Sequence, residues 1–314
     1  MHIYSIFDDF GDVPVQILQS AGIEVEIHPL GMPRPNAERM KQILKDYDGV
    51  IVGTSQKITE DMFADIDSLR IIGTASVGTD HIQIPEVKSQ LIRVINTPTA
   101  NVQSVAEYTI GCALSCCKRL YEGNILYREG KDNKKISAKP EDLSGKILGV
   151  VGAGNISKKI MEYGMMLGME VIFWTAHPEN HSEINTLGIK NTSLEELVSI
   201  SDVISVNLPN NDGTRNLINS NLITSMKSDA IFISISRIAT LDYKALFYKA
   251  KNNRNFYVCL DVDIDPDICG LYADLPNILI TPHIAGGTVN TRKRMFKEVS
   301  ESIVDFVKKT EKET

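Results

Sequence analysis

Three kinds of charged or proton-handling side chain follow apolar runs in the second half of the chain. Arg237 comes after "AIFISIS", the aspartates Asp261, Asp263, Asp265 and Asp267 after "YVCL", and His283 after "ILIT". Four carboxylates at alternate positions invite a calcium-loop reading, but with Asp261 as position one the sixth residue is Pro266 instead of glycine and the twelfth is Tyr272 instead of glutamate. The spacing fits a strand end, where residues i and i+2 share a face. Singly, Arg237 reads as a surface charge and His283, after Pro282, as a packed turn residue. In an open α/β sheet, however, ligands bind at the carboxyl ends of strands, so groups placed there can converge.

The elements that must position them are legible in the same pattern. "HIYSIF", "GVIVGT", "RIIGTAS", "IRVINT", "ILGVVGAG", "EVIFWT", "DVISVNL", "AIFISIS", "YVCLDV" and "ILITPH" are apolar nearly throughout and alternate with helix-like stretches. That pattern predicts parallel sheets covered on both faces, an α/β protein. Residues 128–146 are polar and turn-rich, and precede the most regular strand–glycine–helix unit. After "TPHIAGGT", Phe296, Val299, Ile303 and Phe306 recur at helical spacing, so the last helix can close on a surface built much earlier.

Within "KILGVVGAGNISKKIMEYGMMLGMEVIFWTAHP", Gly152 and Gly154 take the first two places of the dinucleotide fingerprint and Ser157 the third. A pyrophosphate would rest on the amides around Asn155 and Ile156 at the helix start. The acidic residue that ends the second strand in NAD-binding units is replaced by Thr175, followed by Ala176 and His177, and no arginine follows to hold a 2′-phosphate. NAD and NADP both stay open.

Net charge is −7 with both signs interspersed, which excludes a broad nucleic-acid-binding face. No run is long enough to span a bilayer and the first residues read as strand and turn, so a cytoplasmic protein is expected. Cys112, Cys116, Cys117, Cys259 and Cys269 form no CxxC pair and read as reduced apolar fillers; no metal is expected.

"ASVGTDHIQIPE", "NTPTANVQSVAEYTIG", the glycine turn, "VNLPNNDGTRNLIN", "ISISRIATLDYKAL" and "TPHIAGGT", in this order, resemble the D-isomer-specific 2-hydroxyacid dehydrogenases along nearly the whole chain. The resemblance implies two doubly wound parallel-sheet domains: a flavodoxin-like substrate domain of residues 1–100 plus 287–314, and an inserted Rossmann cofactor domain, 101–286. It implies reduction of a small 2-oxo acid, or the reverse, with NAD or NADP, in a homodimer joined through the cofactor domains. Arg237 would bind the substrate carboxylate together with the amides of Ser76, Val77 and Gly78. His283 would carry the proton, and Asp265, standing before Pro266, would take the place of the family's histidine-binding glutamate. Asp261 would lie near the nicotinamide, Pro209 and Thr214 near the adenosine and phosphates, and Ser236 and Gly286 also at the cofactor.

The chain departs from the family pattern at Ile238, Ser157 and Asn207, and its acidic segment is one residue shorter. Family members acting on phosphorylated substrates carry arginine in the loop after the third strand; here "VGTSQKIT", Val52 to Thr59, has only Lys57, which favours an unphosphorylated acid of the glyoxylate, hydroxypyruvate or pyruvate kind. Two other readings share the fold: a formate- or phosphite-type dehydrogenase, and a dinucleotide-sensing interaction protein of the corepressor type.

Overall fold

The computed structural model describes residues 1–6, 12–89, 91–136, 138–268 and 275–313, so Cys269 and Tyr272 lie outside the described residues. The chain divides into two compact units, Met1–Asn101 with Gly287–Thr314, and Val102–Gly286.

In the first unit the strands are β1 (His2–Ser5), β2 (Glu24–Ile27), β3 (Gly49–Val52), β4 (Ile71–Thr74) and β5 (Arg93–Ile95), with helices α1 (Val13–Ser20) and α2 (Ala37–Asp46) between them. They form one parallel sheet in the order β2-β1-β3-β4-β5. Every residue of β3 and β4 is buried, as their Val/Ile/Gly sequences require, whereas β2, "EVEI", places glutamates along the sheet edge. The long last helix returns to this unit: its Phe296, Val299 and Ile303 are buried with Ile3, Leu18, Ile51 and Ile71. A side chain at Gly73 would bring its Cβ within 2.9 Å of Val299, so that residue's smallness permits the contact. Burial of each such aliphatic side chain stabilises the unit by about 1.5–3 kcal/mol.

The second unit begins with α3 (Val102–Cys117) and α4 (Leu120–Arg128), followed by β6 (Ile147–Val151), α5 (Asn155–Met166), β7 (Glu170–Trp174), α6 (Ser182–Asn185), β8 (Lys190–Asn191), α7 (Leu194–Ile200), β9 (Val203–Val206), α8 (Ser220–Ser225), β10 (Ile231–Ser234), α9 (Tyr243–Asn252), β11 (Tyr257–Asp261) and β12 (Ile278–Thr281). The last helix of the chain is α10 (Val289–Glu313). The parallel sheet runs β12-β11-β10-β9-β6-β7-β8, so the strand order reverses direction beside β6. Separate apolar clusters cover its two faces, one around Phe232, Phe256 and Leu260, the other around Phe173, Ile160 and Cys259. Both units are therefore doubly wound α/β folds, the class that the apolar runs predict.

Candidate active site

The switch point beside β6 is built by backbone geometry. Gly152 has φ +110°, and a Cβ there would lie 2.7 Å from the carbonyl oxygen of Asn207 at the end of β9. Only glycine suits this turn. Gly154 is the N-cap of α5 and carries no side-chain cap, and no atom lies within 4 Å of where its Cβ would be. The first amides of a 12-residue helix, around Asn155 and Ile156, thus adjoin open space, a fit for a pyrophosphate. Ser157, in the third fingerprint place, is 1% exposed and packs as a small residue, its Oγ buried without a hydrogen-bond partner.

At the end of β7, Thr175 is half-buried, and its Oγ1 accepts the His177 amide at 3.5 Å. The structure brings Glu179, a residue the sequence reading passed over, 3.2 Å from His177 Nδ1.

Three of the residues expected at the cofactor make hydrogen bonds within the fold. Ser236 is buried, with its Oγ accepting the Leu208 amide (2.7 Å) and donating to the Val206 carbonyl (3.2 Å), so it ties β10 to β9. Thr214 donates its hydroxyl to the Pro209 carbonyl at 2.6 Å and exchanges hydrogen bonds with Asn211, closing the loop after β9 on itself. Asp261 is 4% exposed: one carboxylate oxygen accepts Thr281 Oγ1 (2.6 Å) and the Ile284 amide (2.8 Å), the other the Ala285 amide (2.8 Å). The hydroxyl of Tyr108, on α3, lies 2.6 Å from Thr281 Oγ1. Since Thr281 gives its own proton to Asp261, Tyr108 is the donor in that contact. Burial pushes the Tyr108 phenol above its ordinary range, which keeps that proton in place.

This network fixes the loop that carries His283. Its φ is +52°, in the left-handed region that side chains seldom adopt, with the amide turned back onto the Thr281 carbonyl at 3.0 Å and Gly286 half-buried just beyond. His283 Nδ1 lies 2.7 Å from Asp263 Oδ1. A carboxylate only accepts, so the shared proton sits on Nδ1. Arg237, half-buried at the end of β10, points Nη1 at Nε2 from 3.3 Å.

The expectation for Asp265 is corrected here: the carboxylate on His283 belongs to Asp263. Asp265 Oδ1 accepts the Asp267 amide at 2.9 Å, capping the turn that opens at Pro266. Position explains the exchange: Asp263 lies two residues beyond the strand end at Asp261, whereas Asp265 stands at the start of the turn that opens at Pro266. Asp263 keeps 73% of its side chain exposed while making this bond.

In the first unit, Ser76, Val77 and Gly78 form the turn after β4. Ser76 Oγ donates to the Gly78 carbonyl (2.7 Å), Thr97 holds the Ser76 carbonyl, and Asn96 holds that of Val77 (2.6 Å). One strand over, Gln56 is buried and accepts both the Gly53 amide (3.0 Å) and Nη1 of Arg34 (3.3 Å). The loop of Lys57 therefore receives a second cation from a distant stretch, which no reading of "VGTSQKIT" alone reveals. Among the described residues no group of histidine, cysteine and carboxylate side chains is placed to hold a metal, and no helix is long and apolar enough to cross a membrane.

Comparison with known proteins agrees with this architecture. Residues 110–285 match the model of the D-isomer specific 2-hydroxyacid dehydrogenase, NAD binding domain. The hydroxypyruvate reductase of Thermotoga maritima is 31% identical over 271 residues, 85% of this chain and 87% of that protein. The D-3-phosphoglycerate dehydrogenase of Bacillus subtilis is 30% identical over 84% of this chain, which spans half that relative's length (50%). The crystal structure of D-lactate dehydrogenase from Aquifex aeolicus, complexed with NAD and lactic acid, superimposes with a TM-score of 0.80 at 27% identity, covering 98% of this chain and 96% of that one. A matched family domain over more than half of the chain, on the same fold, makes this protein a member of the D-isomer specific 2-hydroxyacid dehydrogenase family.

Proposed function

We propose that the protein reduces a small 2-oxo acid to the D-2-hydroxy acid, or runs the reverse reaction, with Arg237, His283 and Asp263 as its reacting constellation. The observation that carries this reading is the chain of contacts Arg237 Nη1–His283–Asp263 at the ends of β10, β12 and β11. When bound, a nicotinamide supplies or accepts the hydride. A substrate carboxylate accepts more strongly than an imidazole, so it draws the Arg237 guanidinium from His283 Nε2. That nitrogen is then available to hold the proton given to the carbonyl oxygen, while Asp263 steadies the charged ring through Nδ1. The amides of Ser76, Val77 and Gly78 are proposed as donors to a substrate carboxylate. A carboxylate on the histidine supports proton transfer and argues against formate-type oxidation.

The test is oxidation of NADH and of NADPH, each supplied with glyoxylate, hydroxypyruvate and pyruvate. No turnover of either cofactor with any of these acids would count against the reading and leave the dinucleotide-sensing alternative. Arg34 favours a second reading of the substrate, a 2-oxo acid with an additional anionic group, so oxaloacetate and 3-phosphohydroxypyruvate belong in the same panel. Under that reading Arg34→Ala raises KM about tenfold for these two and leaves glyoxylate unchanged.

The homodimer is also proposed, with Leu120 and Tyr127 of α4, which are 59% and 85% exposed, as part of the surface that a second copy covers. A reducing compartment, the cytoplasm, suits the four described cysteines, all of them free thiols.

A further inference from the structure

Behind the His283 loop, three thiols that play no part in the proposed chemistry meet between α3 and β11. Cys112 and Cys116 are one helical turn apart on α3, and Cys116 Sγ lies 3.3 Å from Cys259 Sγ at the middle of β11, 143 residues away in sequence. Hydrogen bonds to Cys112 and then Cys116, together with burial, raise Cys259 well above the ordinary thiol range, while the bond from Cys259 lowers Cys112. Cys259 is therefore a protonated donor among sulfurs. Cys116 also lines a small cleft with Ser115, Arg119, Glu122 and Tyr257. Arg119 is 6% exposed, and its Nε and Nη1 are buried without a hydrogen-bond partner. A small oxidant whose oxygens accept hydrogen bonds would satisfy those donors within reach of Cys116.

We propose that Cys116 and Cys259 form a reversible disulfide when hydrogen peroxide enters the Arg119 cleft, and that this bond loosens the His283 loop. The Cys116 sulfur attacks one peroxide oxygen, the O–O bond breaks, and one water leaves with a sulfenic acid left on Cys116. Cys259 Sγ then displaces that hydroxyl as a second water, so two thiols lose two protons and two electrons while one peroxide becomes two waters. Closing the sulfurs from 3.3 Å to a bond length of about 2.05 Å draws β11 towards α3. Asp261, two residues further along β11 and on the same face, is the acceptor that holds the amides of Ile284 and Ala285. Movement there reaches His283 directly.

The covalent half of this proposal needs no substrate; the turnover half rests on the function proposed above. The protein is treated with hydrogen peroxide, unreacted thiols are blocked after unfolding, and the digest is mapped without reductant. The expected result is a single cross-link joining the α3 peptide through Cys116 to the β11 peptide through Cys259. Dithiothreitol should reverse it and Cys116→Ser should abolish it, whereas Cys112→Ser should retain it. Turnover with the best 2-oxo acid should fall about tenfold on oxidation and return with reductant, and the Cys116→Ser protein should not respond. A cross-link through Cys112 or Cys269, or oxidation with no cross-link, overturns the pairing. A Cys116–Cys259 cross-link that leaves turnover unchanged overturns the coupling to the loop. A reduced protein inactive on every acid would instead refute the proposed function, with the peptide map still deciding the disulfide.

Discussion

The two halves of the seven-stranded sheet work by different means. On the β6–β9 side, the features that fit a cofactor are backbone ones: the turn at Gly152, the open N-cap at Gly154 and the first amides of α5. On the β10–β12 side the proposed reacting groups are side chains, Arg237, Asp263 and His283, with a second set, Asp261, Thr281 and Tyr108, anchoring the His283 loop. The difference teaches where substitutions are tolerated. A backbone site constrains few residue types but admits no Cβ at its tightest turn, whereas a side-chain site depends on partners that sequence neighbours do not identify.

The sharpest way to break this comparison is to remove the groups on the side-chain half one at a time. His283→Gln should lower kcat by about 10²–10⁴ with cofactor affinity unchanged, and Asp263→Asn by about tenfold to a hundredfold, while Asp265→Asn changes kcat less than about twofold. Steady-state kinetics with a cofactor titration decides it, and a larger loss from Asp265 than from Asp263 would return the histidine-binding role to Asp265. On the backbone half, Gly152→Ala introduces a Cβ 2.7 Å from the Asn207 carbonyl at a φ of +110°, and should cost about 2 kcal/mol or more in urea unfolding together with cofactor affinity. Full cofactor affinity in that variant would show that the turn is not the cofactor's seat. The smallest effect is expected at Tyr108→Phe, which removes one buried hydrogen bond: about 1 kcal/mol of stability, and a kcat lowered severalfold through the Thr281–Asp261 anchor. A kcat equal to wild type would separate α3 from the His283 loop and weaken the thiol proposal with it.

Much of this molecule is written locally. The Val/Ile runs that form β3, β4, β9 and β10 must be buried on both faces, which dictates parallel sheets between helical layers, and the Gly152–Gly154 turn declares itself because few other residues accept that backbone. Arg237 and His283 were visible as polar residues ending apolar strands. Their carboxylate partner was not, because four aspartates at alternate positions are chemically alike and the one that meets His283 is chosen by where β11 stops and the turn at Pro266 begins. Ser236 and Thr214 carry no sign in sequence that their hydroxyls close the fold, since their acceptors lie at other strand ends or across a loop.

The sequence by itself determined the fold class and the family, since these depend on residue types and on ordered motifs readable along one chain, and it singled out Arg237 and His283 as candidates. Tertiary structure alone decided that Asp263 holds His283, that Asp261 anchors the loop, that Arg34 reaches Gln56 and that Cys116 meets Cys259. Each of those contacts joins separate segments of the chain, and their meeting follows from strand order and register, quantities no single stretch of sequence contains.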